Sequence, residues 1–283
     1  IGAQNSEPPF ATTSDAVTWL NDNGYYTSYS GGTPTQPATY YIGGLFTVAG
    51  QSSAGKMTLL NSGGTKNTTF NIGSGFDAYG AVNSMAIDSN GKSLVGGDFT
   101  SFTGSTQNML IRLNTDGSKD TTFNIGTGFD NGIGTIGIQS DGKILAGGYF
   151  STFTGSSQNN LIRLNSNGSK DTSFNIGTGF NSQIYNGVTI QPDGKILIGA
   201  NSNVVYSGST SNSPLIRINT NGTRDLTFTS RMQVGSSFQP SRPRALSSDG
   251  GIYTVYSSGN AITGSGATAI VTNYIAKLNP TGG

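Results

Sequence analysis

The side chains of this 283-residue chain that could do chemistry are few, because it contains neither cysteine nor histidine. Thiolate catalysis, disulfides and cysteine- or histidine-based zinc sites are therefore excluded for this sequence. All but one of its 14 acids are Asp, the exception being Glu7. Any reaction must therefore use carboxylates, hydroxyls, Lys or Arg.

Several of these acids lie in a repeated turn, "NTDGSKD" at 114–120, whose spacing superficially resembles a calcium loop. Calcium needs roughly six to eight oxygen ligands, and the bidentate acid that ends an EF-hand loop is missing here. Other copies of the turn replace Asp116 by Gly64, Asn167 and Asn221. The pattern favours a structural turn, with calcium as the lesser alternative and no other cofactor or metal expected.

Glycoside hydrolysis would need two carboxylates roughly 5 to 9 Å apart across a cleft. Outside the repeated turns the acids are Glu7, Asp15, Asp22 and Asp98. Asp98 follows a predicted strand, and its counterparts in the other copies are Leu45, Tyr149 and Asn201. It is therefore individual to one unit. We expect no catalytic residues, and hydrolysis at Asp98 is the least favoured alternative.

A ligand site is predicted where the repeat is lengthened or rewritten, at 201–214 and 229–244. Loops carried on a rigid scaffold usually hold binding specificity. Guanidinium groups there could bind an anionic sugar or a partner carboxylate by bidentate hydrogen bonds. The predicted ligand-binding residues are Arg231, Arg242, Arg244, Tyr206 and Phe238. The alternative is that both stretches are solvated loops.

The sequence around these residues is built from a repeated unit. The phrase "NTDGSKDTTFNIGTGF" at 114–129 returns at 165–180, with further copies at 61–76 and, shortened, at 219–228. Asn-Gly and Asp-Gly between apolar runs, as in "MAIDSNGKSLVGGDF", predict hairpins with type I′ turns. One unit then contains four strands, roughly 82–88, 92–99, 109–114 and 120–124. Four short strands repeated about every 50 residues predict β-propeller blades.

The predicted fold is all-β, a five-bladed β-propeller of about 50-residue, four-stranded repeats spanning 36–283. The first unit begins at its second strand and the fifth stops after its third, so segment 24–30 is predicted to close the ring by completing the fifth blade. The alternative is an open or larger ring completed by other chain. Glycine pairs such as Gly96-Gly97 are predicted to let backbones approach closely near the axis, and Phe123 and Ile125 to bury against a neighbouring blade.

Residues 1–35 form a predicted N-terminal arm outside the repeat. "TTSDAVTWLNDNG" favours a short helix with Ser14 as N-cap and Gly24 as its stop. Its apolar side chains are predicted to dock on the propeller rim or on another subunit. These partner-docking residues are Val17, Trp19 and Leu20.

Arginines between apolar neighbours recur in the third predicted strand, as Arg112, Arg163 and Arg217. We expect their aliphatic stems to lie along the blade edge and to keep outer strands from aggregating.

The pattern N-x-D/N-G-x-x-D-x-x-F, followed by F-N-I-G-T-G-F and D-G-K-I-L-x-G-G, resembles the delta-sixty propeller repeat of bacterial and bacteriophage proteins over about 36–279. The resemblance implies a propeller and a secreted, cell-surface or virion-associated setting. It implies no shared catalytic residues. The first unit departs from the pattern, with Asn67 and Leu59 where other units have Asp and Arg.

A net charge of +1 provides no field to attract nucleic acid, and no apolar run approaches the roughly 20 residues that cross a bilayer. We expect no nucleic-acid partner and no membrane insertion. The leading hypothesis is a non-enzymatic structural or binding module, extracellular or on a virion surface. It would be a tail- or capsid-associated appendage that meets other subunits through its arm and contacts host glycans. The alternative is a secreted bacterial adhesin or lectin.

Overall fold

The computed structural model describes residues 26–30, 39–43, 57–61, 65–77, 80–184, 187–199, 204–211, 215–228, 242–246, 252–260 and 270–278. Within these ranges every regular element is a strand, which confirms the all-β prediction. Val17, Trp19 and Leu20 of the predicted arm helix lie outside the described residues, as do Arg231 and Phe238.

Five three-stranded antiparallel sheets follow one another along the described chain. They are β1 (Tyr26–Ser30), β2 (Thr39–Gly43) and β3 (Met57–Leu60); β4 (Val82–Ile87), β5 (Ser93–Gly97) and β8 (Leu110–Leu113); β9 (Ile133–Ile138), β10 (Ile144–Gly148) and β13 (Leu161–Leu164); β14 (Val188–Ile190), β15 (Ile196–Gly199) and β18 (Leu215–Ile218); and β19 (Arg242–Leu246), β20 (Ile252–Asn260) and β21 (Ile270–Leu278). In each sheet the strand earliest in the chain is an edge strand, and β4 packs between β1 and β9.

Among the described residues, three two-stranded hairpins interrupt the second, third and fourth sheets, between the second strand of each sheet and its last. These side hairpins are β6 (Ser101–Phe102) with β7 (Ser105–Thr106), β11 (Thr152–Phe153) with β12 (Ser156–Ser157), and β16 (Val204–Tyr206) with β17 (Ser209–Ser211). These hairpins were not predicted from the sequence. Their signal was a Thr-Gly or Ser-Gly pair between short β-prone runs, in which both turn residues have positive φ, as Thr103 (47°) and Gly104 (77°) do.

The prediction of a fourth strand in each unit is wrong. After β8 the pairing is reduced to an isolated bridge between Leu113 and Lys119, and the Asp120 amide donates to the Arg112 carbonyl. The Asp120 carboxylate then accepts from the amide and hydroxyl of Thr122. This Asx turn bends the backbone away from the extended form, so the strand cannot continue.

Segment 24–30 was predicted to complete the fifth blade, but β1 lies in the first sheet. Tyr26 pairs with Gly43 and Ser30 with Thr39, so this strand supplies the edge that the first unit otherwise lacks. Antiparallel pairing with the strand next in the chain needs only a short connection, whereas pairing with the fifth sheet spans nearly the whole sequence.

The Asn-Gly and Asp-Gly positions do form hairpin turns, but not of the two-residue type I′ kind. Gly91 has a φ of 76°, while Asn90 does not have positive φ. The Asp88 carboxylate accepts from the amides of Asn90 and Lys92, and the Gly91 amide donates to the Asp88 carbonyl. The same longer turn, in which only the glycine is left-handed, forms in the third and fourth units, where Gln139 and Gln191 stand at the place of Asp88.

The predicted wedge between units is confirmed. Phe123 and Ile125, which follow the second unit's turn, bury in one cluster with Ile133 and Phe150 of the third unit. Phe129 then packs between two rings of that unit, 4.7 Å from Phe150 and 4.8 Å from Phe153 between centroids. Apolar burial of this kind holds successive units together.

The predicted close approach at the glycine pairs is also confirmed. A Cβ on Gly96 would meet Ile133 Cγ2 at 2.6 Å, and one on Gly97 would collide with the Ala81 carbonyl. Gly148 meets the Gly132 carbonyl in the same way. In the second and third units, only residues without a side chain allow the backbones to lie this close.

Ser93 is a local defect in this core. It is completely buried, and its Oγ has no hydrogen-bond partner within the described ranges, while the third and fourth units have Ile144 and Ile196 at its place. We expect Ser93→Ala to raise the free energy of unfolding by about 1 kcal/mol, because it removes an unsatisfied buried hydroxyl. Urea denaturation followed by circular dichroism measures the change.

The matched control is Ser84→Ala, since Ser84 Oγ accepts from the Ile136 amide at 3.0 Å. That variant should lower the free energy of unfolding by about 1 kcal/mol. If both serine variants are destabilised alike, the Ser93 hydroxyl has a partner and the expectation is wrong.

Candidate functional site

The arginines predicted to line blade edges instead lie in buried ion clusters. Arg163 is 6% exposed, and its Nε donates to Asp171 Oδ2 at 2.7 Å, while Lys143 Nζ approaches the same oxygen at 3.1 Å. The Arg163 guanidinium also lies 4.4 Å from the centre of the Phe174 ring. The edge-protecting role is therefore corrected: burial of a charge requires a partner charge, and Asp171 is that partner.

The same Lys–Asp–Arg cluster occurs three times in the described ranges. Its members are Lys92, Asp120 and Arg112; Lys143, Asp171 and Arg163; and Lys195, Asp225 and Arg217. This cluster was not predicted from the sequence. Its signal was an Arg and an Asp eight residues apart in three units, both absent together from the first unit, which has Leu59 and Asn67.

The first two of these clusters contact the next unit. Arg112 Nη1 donates to the Ser166 carbonyl and Arg163 Nη1 to the Thr220 carbonyl, both at 2.6 Å. In the same seams the Asn124 amide donates to the Asn167 carbonyl at 2.8 Å. The repeated turn is thus a joint between consecutive units.

The carboxylates of these clusters stay ionised to low pH. Burial alone would raise the pKa of Asp171, but hydrogen bonds from Ser173, Lys143 and Arg163 outweigh it and hold that pKa well below its usual value of 3.8. The pKa values of Asp120 and Asp225 are lowered for the same reasons. Groups held in one charge state and used in packing are unsuited to proton transfer.

The Asp-bearing turn itself uses its oxygens internally. Asp116 Oδ1 accepts from the amide of Ser118 at 2.9 Å and from its hydroxyl at 2.6 Å. In the part of the chain that the structure describes, no group of three His, Cys, Asp or Glu gathers at one point. The geometry assigns Asp116 a turn role.

The aspartates that follow the GF dipeptide hold the side hairpins. Asp130 accepts from the amides of Ser151 and Thr152, both at 2.9 Å, and from the Ser151 hydroxyl at 2.6 Å. Asp77 bonds Thr100 and Ser101 in the same arrangement. The side hairpins are therefore fixed to the preceding unit, and they present exposed hydroxyls at Ser105, Thr106, Ser156 and Ser157.

Tyr206, which was predicted to bind ligand, lies in a buried apolar cluster. It is 1% exposed, its ring packs 4.5 Å from that of Phe180, and its hydroxyl donates to the Gly222 carbonyl. Burial raises the pKa of its phenol. Tyr206 takes the core position that Phe102 and Phe153 occupy in the preceding units. Its hydroxyl therefore makes a hydrogen bond inside the protein.

Arg242 and Arg244 lie in β19, the edge strand of the fifth sheet. Arg242 pairs with Val255, and Arg244 falls at a register shift between Pro243 and Ala245.

Asp98 is exposed and lies one residue beyond β5. Its Oδ2 accepts from Asn83 Nδ2 at 3.0 Å, and Oδ1 lies against the Cα of Gly132 in the next unit. The Asn83 amide also donates to the Ile133 carbonyl at 3.2 Å. Asp98 is therefore held at a seam between the second and third units.

A scan against protein families matches three segments, 89–123, 139–174 and 191–228, to DUF5122, a domain of unknown function described as a β-propeller. Each match begins at or beside a hairpin turn and ends at or just after the Phe that follows a Lys–Asp–Arg cluster. The chain is a β-propeller repeat protein. Each matched segment contains one complete Lys–Asp–Arg cluster of the propeller.

No curated protein matches the propeller in sequence. Among solved structures, a protein of unknown function from Bacteroides caccae is 14% identical, with a TM-score of 0.40. The alignment covers 92% of this chain and 80% of that one. A similarity of this size carries no argument about function.

In the described ranges no helix is long and apolar enough to cross a bilayer.

Proposed function

We propose that the protein is a non-enzymatic structural and binding module displayed outside the cell or on a virion, most simply as a tail- or capsid-associated appendage. In this proposal the repeat is the delta-sixty type and the propeller has five blades. The arm of residues 1–35 meets other subunits of the assembly through Val17, Trp19 and Leu20. The propeller surface contacts host glycans.

One observation carries the proposal: the most buried charged side chains of the repeat are used in contacts inside the protein. Asp120, Asp171 and Asp225 each bind a Lys and an Arg, and the Asp77 and Asp130 carboxylates bind hairpin amides. The side hairpins present hydroxyls instead. A rigid, polar and nearly neutral surface suits contact with other subunits and with hydroxyl-rich ligands more than acid–base catalysis.

The proposal is tested on the chain as it occurs in its source. Antibody labelling in electron microscopy shows whether it lies on particles, and native mass spectrometry shows its assembly partners. Label on particles together with a multi-subunit mass is the expected result. A lone monomer with no particle-associated label would remove the basis of the proposal.

A secreted adhesin or lectin is the second candidate, favoured by the place of Arg242 and Arg244 on an edge strand with a register shift. In that case label appears in the secreted fraction. Replacing Arg231, Arg242 and Arg244 by Ala then abolishes glycan binding and leaves the circular dichroism unchanged. Unaltered binding removes those arginines from the site.

A further inference from the structure

Four Asn-Gly pairs lie within the described ranges, and one of them is held differently from the rest. All four asparagines are exposed, and the pairs are Asn90-Gly91, Asn131-Gly132, Asn167-Gly168 and Asn221-Gly222. An asparagine before glycine can lose its side-chain amide when the next main-chain nitrogen attacks Cγ, because glycine has no side chain to hinder the approach. The rate depends on whether the fold lets that nitrogen reach that carbon.

In three of the pairs the glycine amide is bound to a main-chain carbonyl of another residue. The Gly91 amide donates to Asp88 at 3.0 Å, the Gly168 amide to Asn165 at 2.9 Å, and the Gly222 amide to Asn219 at 3.0 Å. In the last two pairs the asparagine Oδ1 also accepts from the amide and the hydroxyl of the residue two positions on. These turns therefore commit the glycine nitrogen, and in two of them the asparagine side chain, to other partners.

At Asn131-Gly132 the two reacting groups contact each other. The Gly132 amide donates to Oδ1 of Asn131 at 2.8 Å. Because the bond between Cγ and Oδ1 is only about 1.2 Å long, the Gly132 nitrogen lies within about 4 Å of Cγ. Reacting atoms in a near-attack arrangement are roughly 3 to 3.5 Å apart. A small rotation of the Asn131 side chain is therefore enough to start the reaction.

The loop around this pair is fixed on both sides. Before it, the Asp130 carboxylate accepts from the amides of Ser151 and Thr152, both at 2.9 Å. Within it, the Gly132 carbonyl accepts from the Tyr149 amide at 2.9 Å. A loop held in this way keeps the nitrogen beside the asparagine side chain, so little entropy is lost when they react.

We propose that Asn131 is a site of spontaneous modification, at which the chain converts a side-chain amide into a carboxylate through a cyclic imide. The Gly132 nitrogen forms a bond to Cγ, the bond between Cγ and Nδ2 breaks, and ammonia leaves with the proton of the Gly132 amide. One water molecule then opens the imide at either carbonyl. The product is aspartate or, where the main chain now runs through Cβ and Cγ, isoaspartate. This inference goes beyond the proposed function and does not depend on it.

The product alters the seam between the second and third units. A Cβ on Gly132 would collide with Asp98 Oδ1, so the backbone there has no room to shift. Isoaspartate adds one main-chain carbon directly before Gly132, and either product adds a negative charge beside a residue that already contacts the Asp98 carboxylate. The modified chain should therefore be less stable than the unmodified one.

The experiment follows all four pairs in one incubation of the full chain at mildly alkaline pH. Trypsin cuts after Lys and Arg and so places the four asparagines on different peptides, in which tandem mass spectrometry measures the converted fraction of each. In the folded chain we expect Asn131 to convert about tenfold faster than Asn90, Asn167 and Asn221. In urea all four should convert at similar rates, because each is followed by glycine.

The comparison of folded and unfolded chain decides the assignment. Faster conversion at Asn131 in the folded chain alone supports it. Conversion in the folded chain that is no faster than at the other three pairs overturns it. An advantage of Asn131 that persists in urea also overturns it, since the local sequence and not the contact with Gly132 then determines the rate.

Asn131→Ser tests the consequence for stability. Serine is the residue at this place in the fourth unit, where Ser182 follows Phe180 as Asn131 follows Phe129. Incubation should lower the midpoint of urea unfolding of the unaltered chain and leave that of the variant unchanged. An equal fall in both chains would mean that the stability is lost at other sites and would overturn the expected effect on the seam.

Discussion

Asp171→Asn is expected to lower the free energy of unfolding by about 3 kcal/mol or more, because it leaves Arg163 as a buried charge without its partner. Both side chains are less than a tenth exposed, and Arg163 Nη1 is committed to the Thr220 carbonyl of the next unit. The asparagine can still cap the turn through its Oδ1, as Asn67 does in the first unit. The lost free energy of unfolding therefore reflects the missing charge of Asp171 and not a change in the turn. Urea denaturation measures it.

The chain provides its own rescue for this variant. The first unit has Leu59 and Asn67 where the third has Arg163 and Asp171, and Leu59 is 5% exposed. Replacing a buried ion pair by apolar groups of similar volume is often neutral. We expect Arg163→Leu combined with Asp171→Asn to recover at least half of the loss. If the double variant is as unstable as the sum of the single ones, the pair is not coupled as the geometry indicates.

The same carboxylates determine how the free energy of unfolding falls at acid pH. The pKa of Asp171 is lowered in the folded chain, so its contribution is complete above the unfolded pKa of about 3.9. That contribution is lost as the pH falls through the folded pKa. The unaltered propeller should therefore lose stability below about pH 4. The double variant lacks one such group and should show a shallower decline over the same window.

Local chemistry explains which parts of the fold were predictable. Asp-Gly turns, glycine pairs and the Phe123–Ile125 wedge were found because each depends on residues adjacent in sequence and on steric rules that hold in any context. The pairing of β1 and the end of the predicted fourth strand were missed. Which edge a strand joins depends on distant chain, and the Asx turn at Asp120 overrides the β-propensity of its neighbours.

The residues of the candidate site also divide into those that the sequence could predict and those that it could not. Tyr206 was selected as a ligand residue because it lies in a rewritten loop, yet its place in the side hairpin makes it a core aromatic like Phe153. Asp98 was found because it differs from its counterparts. Its closeness to the next unit's Gly132 could not be read from sequence, since that contact joins residues in different units.

Gly168→Ala is expected to be among the most damaging single methyl additions in the described chain. Gly168 has a φ of 92°, and a Cβ there would lie 2.7 Å from the Asn124 carbonyl oxygen and 2.9 Å from its carbon. Those atoms are backbone of the preceding unit, so relief requires the seam itself to open. We expect a loss of at least about 3 kcal/mol, more than left-handed strain alone imposes.

Gly155→Ala measures the strain of the left-handed backbone without any steric contact of the added methyl group. Gly155 has a φ of 76° at the tip of a side hairpin, and nothing lies within 4 Å of an added Cβ. Its cost should be only the left-handed penalty, about 1–2 kcal/mol. Thermal and urea unfolding of the two variants, compared directly, give the energy of the seam as their difference. Equal losses would mean that the repeated turn is not a joint between units. A larger loss for Gly168→Ala would mean that the phrase is repeated because each unit must accept the backbone of the one before it.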